Sequence, residues 1–205
     1  MIDTNVQRST ARKFGYSSLL LAFLLAAAIP AIPGADGKSA TIDATAMGTS
    51  TQMGRDVNIK VIINQFSTEA DRQVLVDAFK SGQSQGLVKA LTNMKSVGRI
   101  AISGTVGTDL SYIALIRTPT GRRIRFATNR PIRFAEAYNA GPSTAYDLTA
   151  GEFNLNDSDK DKSVGVLYPA AQLIINKKGQ LQFELRKNPW KLVNIIDWNH
   201  AGAEK

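Results

Sequence analysis

Six arginines crowd one stretch of this chain: Arg117, Arg122, Arg123, Arg125, Arg130 and Arg133. A guanidinium meets phosphate and carboxylate oxygens two at a time. The cluster is therefore the first candidate for chemistry, as a patch that binds an anionic ligand. Arg123 and Arg125 lie two apart in what reads as a strand, so they share one face. Arg117, on the preceding strand, joins them across a hairpin if the register permits. The competing reading is a solvated sheet face, where Arg and Lys commonly block edge pairing.

Other constellations are weaker. Asp157, Asp159 and Asp161 alternate with Ser158 and Lys160, as the ligands of a calcium loop do. Lys162, however, stands where such a loop turns on glycine, and Tyr168 stands where it closes with glutamate. The stretch reads as a plain hairpin loop, and no metal is expected. His200 is the only histidine and sits in a terminal tail, where chains fray. A Ser-His-Asp triad then lacks its base. Glu136, Asp147, Glu152 and Glu184 remain as acid–base candidates, but their spacing brings no two together. Dinucleotide, Walker and nucleophile-elbow motifs are absent from the sequence, so no cofactor is expected. Without cysteine there is no thiol catalysis, thiolate metal site or dithiol redox chemistry. Trp190 and Trp198, with Tyr112, Tyr138, Tyr146 and Tyr168, suit either a pocket or a core, and the core is the reading taken.

The elements that must position these residues are mostly strands. Val57–Phe66 alternates Val57, Ile59, Val61 and Ile63 against Asn58, Lys60 and Asn64, the pattern of a half-buried strand. Thr68 and Asp71 form a capping box. The helix it opens carries Val74, Leu75, Ala78 and Phe79 on one side and stops at Ser81-Gly82. A second helix begins near Ser84, with Leu87, Val88, Leu91 and Met94 on its stripe. This pair, at about 68–95, must pack on a sheet to bury itself. Strand patterns follow at Gly98–Thr105, Leu110–Thr118 and Arg122–Thr128. They continue at Ala145–Leu155, Ser163–Asn176, Gln180–Arg186 and Leu192–Ile196. The second and third of these form a hairpin through Pro119-Thr120-Gly121. A short helical turn is expected at Phe134–Tyr138.

Before the strands lies a leader. Phe14–Ile29 is an uncharged run behind Arg8, Arg12 and Lys13, and Pro30 and Pro33-Gly34 follow it. That order is the order of a secretory signal peptide, at residues 1–35, with cleavage between 28 and 41. The run is short for a membrane span. Residues 36–56, rich in Gly, Ser, Thr and Ala, read as a flexible linker with at most a weak strand at Ala40–Met47. A single domain at 57–198 and a tail at 199–205 complete the chain. The whole chain has 25 basic and 17 acidic side chains, a net charge of +8. Loss of the leader lowers this to +6. The excess favours anionic partners. Lack of cysteine in an exported chain fits a bacterial periplasmic or secreted protein.

Several runs look like those of a group of uncharacterised exported bacterial proteins. They are Leu75-Val76-Asp77-Ala78-Phe79-Lys80, Leu87-Val88-Lys89-Ala90-Leu91, Val97-Gly98-Arg99-Ile100 and the stretch from Arg122 to Ile132. The resemblance covers roughly residues 57–196. It implies export and one α+β domain, and it carries no activity or site residue.

The expected fold is α+β: an antiparallel sheet or partly closed barrel of about seven to nine strands, with the helix pair packed on it. The expected function is a non-catalytic binding or interaction domain, exported, for an anionic or lipid-like envelope component or another envelope protein. The alternative is a carboxylate-dependent glycan hydrolase. Export and the lack of a recognised motif argue against nucleic acid. Membrane contact is expected to be peripheral at most once the leader is removed.

Overall fold

The computed structural model describes residues 39–50, 53–132, 146–177, 179, 181–185 and 188–199. The leader, Arg133, the turn expected at Phe134–Tyr138 (with Glu136) and His200 lie outside the described residues.

Ten strands form one antiparallel sheet. They are β1 (Ala40–Met47), β2 (Asp56–Ile63), β3 (Gly98–Ile102), β4 (Thr108–Leu110), β5 (Tyr112–Thr118), β6 (Gly121–Thr128), β7 (Leu148–Asn156), β8 (Val164–Ile175), β9 (Leu181–Leu185) and β10 (Trp190–Asp197). Their spatial order is β4-β3-β2-β1-β10-β8-β7-β6-β5, with β9 on the far half of β8. The two ends of that order are one strand interrupted at Ser111. Before the break it pairs with β3, and after it with β6. The Ser111 N–H donates to the Ala127 carbonyl, and the Val97 N–H donates to that of Leu110. The sheet is thus rolled into a nearly closed barrel of nine strands, counting β4 and β5 separately, which removes most of the exposed edge.

Residues 36–56 are not all linker: the weak strand expected at Ala40–Met47 is a full member of the sheet. Ala40–Met47 lies between β2 and β10 and pairs with both along its length. Ile42 and Ala46 are fully buried and Ala44 nearly so. Alanine has weak strand propensity, which hides the strand; inside a crowded barrel its small side chain is what fits.

The barrel interior is filled. Ile42, Val61, Leu110, Ile113, Phe126, Phe153, Leu167 and Leu192 have 0% exposed surface, and Trp190 has 1%. A water-sized gap beside any of them would register as exposed surface, so no lumen runs past these residues. Gly151 of β7 belongs to the same packing. A Cβ there would lie 2.2 Å from Cζ of Phe126, so the ring occupies the space a side chain would need.

A second apolar layer lies outside the barrel. It contains Leu75, Phe79, Leu87 and Leu91 of helix α1 (Glu69–Asn93), with Tyr112, Ala127, Leu148, Ala150, Ala171 and Leu173 from the outer faces of β5–β8. Leu181 and Phe183 of β9 complete it. The expected capping box of Thr68 and Asp71 is formed. The expected pair of helices is not: one helical element spans both stripes, kinked at Gln83 (φ 53, ψ −144), between the expected stop at Ser81-Gly82 and the expected restart near Ser84. At the break Gly86 backs onto Ala78, whose carbonyl oxygen is 2.2 Å from where a Cβ would sit. Ser84 Oγ then accepts from the Leu173 N–H at 3.2 Å, docking the kink on β8. Val74 was placed on the buried stripe by its spacing but is 53% exposed; Leu75 and Phe79, one turn apart, carry the contact.

Candidate functional site

Pairing of β5 with β6 sets Arg117 opposite Arg122, Ile116 opposite Arg123 and Ala114 opposite Arg125. Ile124 and Phe126 point into the barrel. Alternation then gives Arg122, and Arg117 opposite it, the inward parity, while Arg123 and Arg125 point outward. The six arginines therefore do not make one face, and Arg117 does not join Arg123 and Arg125 as the sequence suggested.

Arg122 sits where the barrel ends. Its Nε and Nη2 donate to Asp157 Oδ1 at 3.0 and 2.8 Å, and its Nη1 donates to Asp197 Oδ2 at 3.0 Å. In the sheet, β7 and β8 separate β6 from β10, so this guanidinium reaches across the barrel mouth and ties the last strand to the β7–β8 loop. Its side chain is 10% exposed.

Arg125 points outward but does not reach water. It is 1% exposed and donates from Nε to Glu152 Oε2 at 2.6 Å. Arg123, directly beside it on that face, donates from Nε to Asn154 Oδ1 at 2.7 Å and lies 3.5 Å from Glu152 Oε1. Asn154 Nδ2 donates to the same Oε1 at 2.9 Å. Both oxygens of Glu152 are thus engaged. Arg125, expected in an anion-binding patch or else on a solvated face, fits neither reading, because it is buried and paired with Glu152 under the layer that covers the outer face of β6. Arg117 and Arg130 are exposed, which leaves them as the members of the cluster most accessible to a ligand.

Tyr112 lies on the same covered face, 4% exposed. Burial pushes its phenol up to about 12, against the weaker opposing pull of Arg72 and Arg125. At the start of α1, hydrogen bonds from Arg72 hold the Glu69 carboxyl below its usual range.

The aspartate loop is occupied with its own cations. Asp157 serves Arg122. Asp159 caps a 3₁₀ turn, Lys160–Lys162, and lies 3.0 Å from Lys162 Nζ. That hydrogen bond lowers the Asp159 pKa. Among the described residues no three His, Cys, Asp or Glu side chains converge in a way that could hold a metal ion. Of the other candidate carboxylates, Glu184 is bonded to Gln172. Trp190 is a core residue, as expected. Trp198 is not: it is 53% exposed, and its indole N–H donates to Asp43 Oδ2 at 2.7 Å. A small cavity of about 10 Å³ lies between α1 and the sheet, lined by Leu75, Leu91, Tyr112, Leu148 and their apolar neighbours. It is at the lower limit for one water molecule.

Sequence reasoning missed two partners, Asp197 and Asn154. Asn154 was findable: Arg123-x-Arg125 and Glu152-x-Asn154 are complementary in an antiparallel pair, which sets Arg123 against Asn154 and Arg125 against Glu152. Asp197 carries no comparable pattern, because its contact spans the barrel mouth.

Comparison with protein-family models, curated proteins and solved structures finds no match to this chain. Among the described residues no helix is long and apolar enough to cross a membrane.

Proposed function

We propose that this chain is an exported, non-catalytic interaction domain that recognises an anionic component of the cell envelope through its outer surface. One observation carries the reading: the barrel interior is packed solid with apolar side chains, so the fold offers its exterior rather than a lumen. A carrier that encloses a lipid would need an open interior. Acid–base catalysis by Glu152 is disfavoured because Arg125, Arg123 and Asn154 already occupy both its oxygens. The net charge, +8 for the whole chain and +6 once the leader is lost, supplies the attraction for phosphate or carboxylate groups.

The test is binding at low salt to two sources of that chemistry, phosphatidylglycerol-containing vesicles and an acidic polysaccharide. Binding to at least one is expected, and it should weaken as salt screens the charge. Failure to bind either at low ionic strength overturns the reading.

A further inference from the structure

Strands β1, β3 and β8 run in the same direction, because each neighbour in the order β3-β2-β1-β10-β8 is antiparallel to the next. The hairpins that follow them, β1–β2, β3–β4 and β8–β9, therefore turn at one end of the molecule. Each presents a large apolar side chain to solvent: Met53 at 78% exposure, Val106 at 81% and Ile175 at 49%. Met47, at the base of the first hairpin, is 40% exposed. Scattered exposed apolar residues are ordinary on any protein. Here the two most exposed large apolar side chains among the described residues occupy the tips of two hairpins at the same end.

The charge at this end is also distinctive. Arg55, Arg99, Arg130, Lys177 and Lys191 are exposed in or beside these turns and the end of β6, which runs the same way as β8. Asp56 and Asp109 are the exposed acids there, and Asp109 is paired with Arg99 at 2.9 Å. At the opposite end Arg122 is bound by two aspartates, and Asp159 and Asp161 accompany Lys160 and Lys162. Cations thus exceed acids at the end with the hairpin tips. At the opposite end Arg117, Arg122, Lys160 and Lys162 meet Asp157, Asp159, Asp161 and Asp197, and the exposed Val164, Ile196 and Trp198 there lie at strand ends and are less exposed than Met53 and Val106. The Val106 tip is braced by its own strand, since Arg99 Nη1 donates to the Val106 carbonyl at 3.3 Å.

We propose that this end of the barrel docks on the surface of an anionic lipid bilayer, with Met53 and Val106 entering the headgroup region and the surrounding Lys and Arg side chains facing lipid phosphates. The proposal rests on the preceding reading and narrows it to one partner and one surface. Apolar insertion and attraction to anionic lipid add in such peripheral contacts. Neither a soluble polysaccharide nor a small anion gives the exposed methionine and valine anything to enter.

The experiment is co-sedimentation of the purified exported protein with phosphatidylcholine vesicles, with and without phosphatidylglycerol, beside capture on an acidic polysaccharide. Binding is expected only to the phosphatidylglycerol vesicles. The double variant Met53→Ser/Val106→Ser, which leaves every charge in place, should lower the partition coefficient about tenfold. Lys177→Gln/Lys191→Gln should weaken binding and flatten its salt dependence. A Met53→Trp reporter should shift its emission to the blue on those vesicles. Undiminished binding by the serine variant, or an unshifted reporter, overturns the proposal. Capture by polysaccharide without vesicle binding also overturns it while sparing the broader reading, and binding to neither overturns both.

Discussion

The barrel interior and the layer under α1 are both buried and mainly apolar, yet they tolerate different chemistry. The interior cluster is built chiefly from Ile, with Val, Leu, Phe, Ala and Trp190, on strands that surround it from all sides. The outer layer has one helix for a roof, is richer in Leu and Ala, and has a phenol in it and the Arg125–Glu152 pair on the same sheet face. A side chain inside a closed ring of strands has no route to a polar partner except along the axis, and Arg122 uses that route at the mouth. A side chain on the outer face can find a cross-strand partner one strand away, as Arg125 does. Outward parity on a strand therefore does not mean exposure.

Truncating one ring in each region is the strongest way to probe the difference. Phe126→Ala should cost about 4–5 kcal/mol, because Phe126 has 0% exposure and the surrounding strands cannot collapse into the gap. Phe79→Ala in the helix should cost about 3 kcal/mol, the lower end of the range for a buried phenylalanine, since a helix can settle toward the sheet. Urea unfolding measures both. Equal costs would show that the roof is as rigid as the ring.

Removing charge probes the outer layer next. Glu152→Gln should cost about 3 kcal/mol, because it strips Arg125 of its buried counter-charge. Replacing Arg125 by Met and Glu152 by Leu together should recover most of the loss. A single variant as stable as the wild type would mean that the guanidinium relaxes to water.

The smallest effect concerns Tyr112. Its folded pKa, about 12, is above the value near 10 of an unfolded chain. The folded state keeps the proton where the unfolded chain has lost it, so this contribution is whole below pH 10 and is lost as pH rises through 12. Between pH 9 and 11 the wild type should lose about 1 kcal/mol more than Tyr112→Phe. Parallel curves for the two proteins would contradict this.

Much of the strand content was legible because side chains with period two announce a half-buried strand. Val57–Ile63 and Leu181–Leu185 are clear cases. The bounds of β1 were legible as a weak strand at Ala40–Met47, but its central place in the sheet was not, because Ala44 and Ala46 carry little hydrophobic weight. The helix was located correctly, and its break at Gln83 falls between the expected stop at Ser81-Gly82 and the expected restart near Ser84; what the sequence did not show is that the two halves join into one helical element docked on β8 through Ser84. For the candidate site, alternation separated Arg123 and Arg125 from Ile124 and Phe126. It could not show what covers the outer face, because that follows from where α1 lands. The opposite parity of Arg117 was hidden in the hairpin register.

The pairing of β1 with β10 sets the order in which this molecule can be completed. Ile42 finds its partner in Asp197, near the other limit of the described chain. Loop closure over such a separation is slow compared with forming local hairpins. A chain that emerges amino terminus first can assemble β1 with β2, and β5 with β6 and β7, as they appear. The barrel stays open along one side of β1 until the last strand arrives. Its interior apolar faces are unprotected throughout that interval, and with no cysteine no covalent bond can hold the early hairpins in place. The ring of strands is therefore completed only when β10 pairs with both β1 and β8.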